Sequence, residues 1–168
     1  TERTVEGEWF RTGDVVELRP DGYLRFVERA KEILTLSTGK NVAPGPVEDD
    51  LVARSPLVEQ CMLVGDGRKF VAALVVPDFE GVREWGQRHG VEVPDDPEAI
   101  CEDERVLARV WEDVTAVNEG RERHETVKEL RLIPREFTED NDLLTPTLKK
   151  RRSRISDRYA ATIEDIYE

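Results

Sequence analysis

Cysteine, histidine and methionine are almost absent from this chain: two, two and one in 168 residues. Cys61 and Cys101 form no CxxC pair. Cys61 lies in an apolar, strand-like run, so it reads as a small buried hydrophobe and not as a redox or metal group. His89 and His124 stand alone without a ligand-spaced partner, and a metal site built from side chains is not expected. Long hydrophobic runs are missing too. The longest, Val71 to Val76, is far too short to span a bilayer, and no signal-peptide pattern is present. The chain is therefore expected to be soluble and cytoplasmic, with peripheral membrane contact left open. Lysine is scarce, at 6 against 19 arginines, and 37 acids against 25 bases give a net charge of −12. That balance excludes a broad nucleic-acid-binding face, which needs basic surface to neutralise phosphates. Acid excess with few lysines is compatible with a solvated surface in high salt, and so with a halophilic source. A GC-rich genome would favour arginine equally well.

The length fits one domain, or one domain with an appendage. The opening segment Thr1-Glu2-Arg3-Thr4-Val5-Glu6 is charged, lacks an initiator Met and reads as a cut inside a longer protein. Val15 to Leu18 and Tyr23 to Val27 are strand-like and are joined by Arg19-Pro20-Asp21-Gly22, a hairpin turn in which Pro presets φ and Gly supplies φ > 0. Ile33 to Leu36 reads as a short strand and Thr38 to Asn41 as a loop. A helix is expected from Pro46 to about Arg54, with Val47, Leu51 and Val52 facing the core. Val58 to Val64 and Phe70 to Val76 read as a second hairpin about Gly65 to Lys69. Phe79, Val82 and Trp85 share a helical face that ends at Gly90. After an acidic, proline-containing loop at 93–98, the spacing of Val106, Leu107, Val110, Trp111, Val114 and Val117 predicts one helix from about Pro97 to Glu122. Leu130 to Ile133 is a strand stopped by Pro134, and Glu139 to Asp142 is a turn. From Pro146 onward, Leu148, Ile155, Tyr159, Ile163 and Ile166 fit the stripe of a terminal amphipathic helix. Hairpins and irregular alternation of strands and helices point to an α+β fold, with a short β-hairpin and a small mixed sheet flanked by helices.

Three groups of residues stand out as candidates for chemistry. Thr12-Gly13-Asp14 is followed by Asp21-Gly22-Tyr23-Leu24-Arg25-Phe26-Val27-Glu28-Arg29 and Lys31. Ser37-Thr38-Gly39-Lys40-Asn41-Val42-Ala43-Pro44 precedes Pro46-Val47-Glu48. Leu144-Thr145-Pro146-Thr147-Leu148-Lys149-Lys150 comes near the end. Each has a plain reading: a turn before a strand, a strand-end arginine paired with Glu28 or Glu32, a turn before a helix. The run Lys149-Lys150-Arg151-Arg152 could also be a nucleic-acid or membrane patch, although it is only four residues long in an acidic chain.

In this order and spacing the motifs resemble the last third of an AMP-forming acyl-CoA synthetase, specifically the long-chain fatty acid type. Glu8-Trp9-Phe10-Arg11-Thr12-Gly13-Asp14 is similar to that family's Trp-x-x-Thr-Gly-Asp, and the run Gly39 to Pro44 is distinctive of its long-chain subgroup. The resemblance is strong over 8–80 and 136–152 and loose between, where such synthetases carry extra helices, here a helical insertion at about 80–125. It implies that Asp14 accepts hydrogen bonds from the ATP ribose and that Arg29 also contacts the nucleotide. It makes Lys31 the hinge, and the Gly39 and Lys40 loop the lining of the CoA pantetheine tunnel. Lys149 becomes the lysine that enters the active site for adenylation, with Lys150 its competitor. An acceptor-only carboxylate suits ribose hydroxyls, and a flexible ammonium suits charge developing at a phosphoryl centre.

The resemblance further implies that residues 1–30 are the tail of a large N-terminal domain and 31–168 the small mobile C-terminal domain. The parent enzyme would convert fatty acid, ATP with Mg²⁺, and CoA into acyl-CoA, AMP and pyrophosphate through an acyl-adenylate. The phosphate-binding loop and acyl pocket lie upstream in that family, so the fragment alone is expected to be inert. Two alternatives stand beside this reading. One is another adenylating relative, an aryl-CoA ligase or a peptide-synthetase adenylation domain. The other is an acidic binding module without chemistry.

Overall fold

The structure is a computed structural model and describes residues 5–6 and 9–168. Thr1 to Thr4 of the charged opening segment, and Glu8 of the first motif, lie outside the described residues. Strands β1 (Val5–Glu6) and β2 (Trp9–Phe10) pair antiparallel. A longer hairpin follows, of β3 (Asp14–Leu18) and β4 (Leu24–Arg29). Its turn is the expected one. The Gly22 N–H donates to the Arg19 carbonyl at 2.9 Å, with Gly22 at φ 85°, a conformation glycine adopts without steric cost. Leu18, Leu24 and Phe26 on this hairpin remain exposed.

A single 3₁₀ turn, Ala30–Glu32, connects the hairpin to the rest of the chain. The short pair β5 (Leu34–Thr35) and β6 (Asn41–Val42) flanks the Gly39 loop and leads into helix α1 (Pro44–Arg54). The main sheet has three strands in the order β7 (Val58–Val64), β8 (Val71–Pro77) and β9 (Val127–Leu132). The first pair is antiparallel and the second parallel, so the small sheet is mixed as expected. The parallel step needs a long crossover. It is supplied by α2 (Phe79–His89), α3 (Pro97–Glu102) and α4 (Glu104–Asn118). Helices α5 (Arg152–Arg158) and α6 (Ala160–Tyr167) close the chain.

β8 is buried at every residue because it is the middle strand and both its faces are covered, which is why it reads as an unbroken apolar run. Its alternation divides the core in two. Val71, Ala73 and Val75 join Cys61 and Leu63 against α1 and the crossover helices. Ala72, Leu74 and Val76 join Met62 and Val64 against Phe137, Ile155 and Ile166. Cys61 is fully buried as expected, and that burial pushes its thiol pKa up.

Three expectations are corrected. The helix expected over 97–122 is two helices ending at Asn118. Asp103 adopts an extended conformation between them, and its carboxylate accepts from the Arg105 and Val106 backbone N–H groups as the cap of α4. The terminal helix begins at Arg152 and not near Pro146. Residues 144–150 form a tight turn closed by a Leu144 to Lys150 bridge, with Leu148 at φ 57° and 74% exposed, off the apolar stripe. Val52 is 39% exposed, while Val47 and Leu51 are buried. The stripe of α4 survives, with Val106, Val110, Val114 and Val117 all buried.

Two polar residues are buried among the described residues, Ser55 and Glu48, and only Glu48 is charged. Glu48 on α1 is 2% exposed. Its Oε1 accepts from the Leu63 backbone N–H at 2.7 Å and from Arg152 Nη1 at 2.8 Å. Its Oε2 accepts from Lys150 Nζ at 2.6 Å and from Arg152 Nη2 at 2.8 Å. A carboxylate with four donors meets the condition under which burying a charge is tolerated. Burial alone would disfavour the Arg152 guanidinium, but the Glu48 carboxylate, helped by Glu32 and Glu28, more than reverses this and holds its pKa above the usual arginine value.

Two stability predictions follow from these contacts. Glu48→Ala strands Lys150, Arg152 and the Leu63 N–H, and urea denaturation should show a loss of about 3–5 kcal/mol. Loss of the α4 cap in Asp103→Ala should cost about 1 kcal/mol at neutral pH. The Arg105 hydrogen bond holds the Asp103 carboxyl below its usual range against the opposing effect of burial. A depressed folded-state pKa stabilises above the unfolded value, and the contribution is lost as pH falls through the folded one. The gap between wild type and Asp103→Ala should therefore narrow as the pH is taken below about 4.

Candidate functional site

The first half of the site is the base of the β3–β4 hairpin. Antiparallel register sets Asp14 opposite Arg29, and their side chains pair at 2.8 Å. Arg29 Nη1 also donates to the Thr12 carbonyl at 2.9 Å, the Ala30 N–H donates to the Gly13 carbonyl at 2.8 Å, and the Asp14 N–H donates to Thr12 Oγ1 at 3.2 Å. The three residues of the first motif are thus fastened to the strand that carries Arg29. Asp14 Oδ1 is buried and accepts no hydrogen bond among the described residues, so it meets Arg29 through charge alone. The guanidinium of Arg29 pairs with Asp14, and with neither Glu28 nor Glu32, which corrects the plain reading of that arginine; Glu28 Oε1 accepts only from the Arg29 backbone N–H, at 2.9 Å. Glu28 instead accepts from the Gly45 N–H at the start of α1, at 2.8 Å, and Glu32 pairs with Arg152 at 3.1 Å. A Cβ at Gly45 would stand 2.5 Å from Glu28 Oε2, so a larger residue there would displace that carboxylate.

The second half is the 144–150 turn. The Thr145 N–H donates to the Lys149 carbonyl at 2.8 Å, and the Lys149 N–H donates to Thr145 Oγ1 at 3.1 Å. Pro146 fits such a turn because it cannot supply a helical N–H. The two adjacent lysines have opposite fates. Lys150 is drawn inward to Glu48, while Lys149 is exposed and joins no ion pair among the described residues. Arg151 pairs with Asp142 at 3.5 Å and Arg152 with Glu48. Most of the basic run is therefore neutralised within the fold, and a free polyanion-binding patch is not what it forms.

Both halves line one cleft of about 1010 Å³, which gathers Asp14, Arg29, Lys31 and Lys149. Lys31, in the 3₁₀ turn, is 80% exposed and is held by a 3.8 Å pair with Glu32. Gly39 and Lys40 are not in this cleft. Lys40 lines a separate one of about 570 Å³ with Thr38, and Gly39 sits in the loop between them at φ 79°. The sequence pattern pointed to no role for Glu48, and to Glu28 and Arg152 only as a partner for Arg29 and a member of the basic run. The available signal was Glu48 beside Val47 and one turn before Leu51, an acid set on the apolar face of a helix. Among the described residues no cluster of three or more acids, histidines or cysteines could hold a metal ion.

Similarity to known proteins gives the chain its family. Residues 31–168 match the family model of the AMP-binding enzyme C-terminal domain. The chain is 36% identical over 167 residues to the long-chain-fatty-acid–CoA ligase FadD15 of Mycobacterium tuberculosis, a match that takes in 99% of this chain and 28% of that protein. It is 34% identical over 162 residues to human long-chain-fatty-acid–CoA ligase 1, covering 95% of this chain and 23% of the relative. In structure it is similar to the adenylation domain of carboxylic acid reductase from Segniliparus rugosus, with a TM-score of 0.77 and 27% identity over 99% of this chain and 24% of that one. The chain thus spans about a quarter of the curated relatives it matches, and corresponds to their C-terminal portion. By the match over 31–168 and the α+β fold that carries it, the chain belongs to the family of AMP-binding enzyme C-terminal domains.

Proposed function

We propose that the chain is the C-terminal part of a long-chain fatty acid–CoA ligase and serves both halves of that reaction. Fatty acid and ATP give acyl-AMP and pyrophosphate, and CoA then gives acyl-CoA and AMP. The observation that carries this reading is the cleft in which Asp14 and Arg29, from the start of the chain, meet the unpaired Lys149 from near its end. In the first step a carboxylate oxygen of the fatty acid attacks the α-phosphorus and the bond to pyrophosphate breaks. Lys149 stabilises the charge that develops on the α-phosphate and holds the incoming carboxylate. Asp14 accepts the ribose hydroxyls, with Arg29 fixing its orientation and contacting the nucleotide. Lys149 is preferred to Lys150 because Lys150 is spent on a buried carboxylate. Mg²⁺ would arrive on the phosphates of ATP; the described residues offer it no cluster of three or more ligands.

For the second step the small domain, residues 31–168, turns about Lys31 relative to the part that includes residues 1–30, and presents the Gly39 loop to the pantetheine of CoA. The thiol sulfur attacks the acyl carbon and AMP leaves. Rotation of this kind lets one pocket exclude water and then admit a second substrate. The exposed apolar residues of the β3–β4 hairpin are consistent with burial against upstream residues. The likeness to the carboxylic acid reductase adenylation domain favours a second reading, in which the parent adenylates some other carboxylic acid. The long-chain relatives and the run Gly39 to Pro44 favour the first.

The test uses the complete parent chain carrying Lys149→Ala, with the half-reactions assayed separately. Acyl-AMP formation should fall by about 10²–10³-fold, the loss typical of removing one preorganised transition-state contact. Thioester formation from supplied acyl-AMP and CoA should stay within a few-fold of wild type. Retention of both rates would sink the assignment of Lys149.

A further inference from the structure

Lys31, Lys149 and Lys150 line the cleft described above, and the other three lysines line the smaller one. The side chain of Lys149 is exposed and joins no ion pair among the described residues, so no ionic partner holds its ammonium. An ammonium on a flexible four-carbon stem reaches one place reliably only if the backbone that bears it is fixed. Here the backbone is fixed from both sides. Before Lys149, the Thr145 N–H donates to the Lys149 carbonyl at 2.8 Å and Thr145 Oγ1 accepts from the Lys149 N–H at 3.1 Å. The Thr145 carbonyl also accepts from the Leu148 N–H at 2.8 Å. Thr147 Oγ1 lies 3.0 Å from the same Thr145 hydroxyl.

After Lys149, the next residue anchors the turn. Lys150 Nζ donates to the buried Glu48 Oε2 at 2.6 Å. The Leu144 to Lys150 bridge and the Arg151 N–H, which donates to the Leu143 carbonyl at 2.8 Å, draw the two ends of the segment together. Between these two clamps stands Leu148, with φ 57° and its side chain in solvent. A leucine in the left-handed region costs free energy, and an exposed side chain gains no packing to offset it. The bonds on either side of Leu148 therefore hold it there. Strain of this kind, kept in place directly before a residue of the site, marks a backbone shaped for the placement of that residue and not for stability.

We propose that Thr145 and Lys150 are positioning residues for adenylation: they hold the backbone of Lys149 so that its ammonium stays in the cleft, and neither touches the reacting atoms. The assignment rests on the role proposed above for Lys149. The test uses the complete parent chain carrying Thr145→Val, which loses the acceptor, or Lys150→Met, which loses the cation but leaves Glu48 to Arg152 and the Leu63 N–H. Each should lower kcat for acyl-AMP formation by about tenfold or more, since misplacing a reacting group by about 1 Å can cost about 10²-fold. KM for ATP, and thioester formation from supplied acyl-AMP, should stay within a few-fold of wild type. Thr145→Ser keeps the hydroxyl and should recover most of the lost rate. In a Lys149→Ala background neither Thr145→Val nor Lys150→Met should lower the residual rate further, because both act through the residue already removed. A purely structural role would lower both half-reactions, and direct contact of Lys150 with substrate would lower the residual rate of Lys149→Ala. Either result overturns the proposal, as does adenylation at the wild-type rate in either single variant. The reading of Lys149 is checked by its own variant. If Lys149→Ala keeps both rates, that reading falls and takes this one with it, whereas loss in Lys149→Ala beside full activity in Thr145→Val or Lys150→Met overturns positioning alone.

Discussion

A carboxylate that is almost wholly removed from water must be neutralised where it stands, and Glu48 sets much of the structure by that requirement. It sits on α1, closes a backbone donor of β7 and takes both Lys150 and Arg152. Those three elements are distant in sequence, and one carboxylate fixes their mutual position. Replacing such a network with apolar groups can cost little energy in other proteins, so its value here is better sought in specificity than in stability. It pins the 144–150 turn against α1 at Lys150. Lys149, one residue earlier, is thereby left exposed and unpaired in the cleft. A helix running from Pro146 onward, as the sequence pattern suggested, would place both lysines differently and leave Glu48 without its ammonium.

The hairpin end of the chain is joined to this body by few ties. From the hairpin Glu28 reaches the Gly45 N–H, while Glu32, at the end of the 3₁₀ turn, reaches Arg152, which already serves Glu48. Lys31 lies between them, in the 3₁₀ turn that Glu32 ends. Ionic and amide contacts of this kind can exchange partners at modest cost, unlike an interdigitated apolar interface. A joint built from them is compatible with two orientations of the hairpin about Lys31. Arg152 thus ties the end of the 3₁₀ turn to the carboxylate that seats the lysine turn.

Legibility in the sequence followed the physics of each element. The β3–β4 hairpin was readable because Pro20 and Gly22 dictate its turn locally, and β7 and β8 because burial on both faces leaves an apolar run. The break at Asp103 was not read: the apolar period of α4 continues across it, and only the capping bond reveals the interruption. The terminal stripe misled in the same way, since Leu148 holds the right spacing for a helix while its backbone lies in the left-handed region. At the site, the residues named from motifs were readable as types. Which of them meet was not, because Asp14 faces Arg29 through sheet register, and Lys149 is separated from Lys150 by a buried partner that no local pattern specifies.

The scarcity of lysine gains meaning from this distribution. Arginine binds carboxylates as a planar fork and suits fixed ion pairs, as at Arg109 with Asp113 or Arg121 with Asp50. Lysine is a point charge on a flexible stem and suits a group that must follow an anion as it moves or changes shape. In this chain arginine makes most of the structural pairs, and all six lysines line two clefts, only one of them, Lys150, being committed to a buried acid. The division holds whether the arginine excess arose from genome composition or from salt. Neither cause would confine lysine to clefts, whereas a requirement for mobile positive charge at those places would.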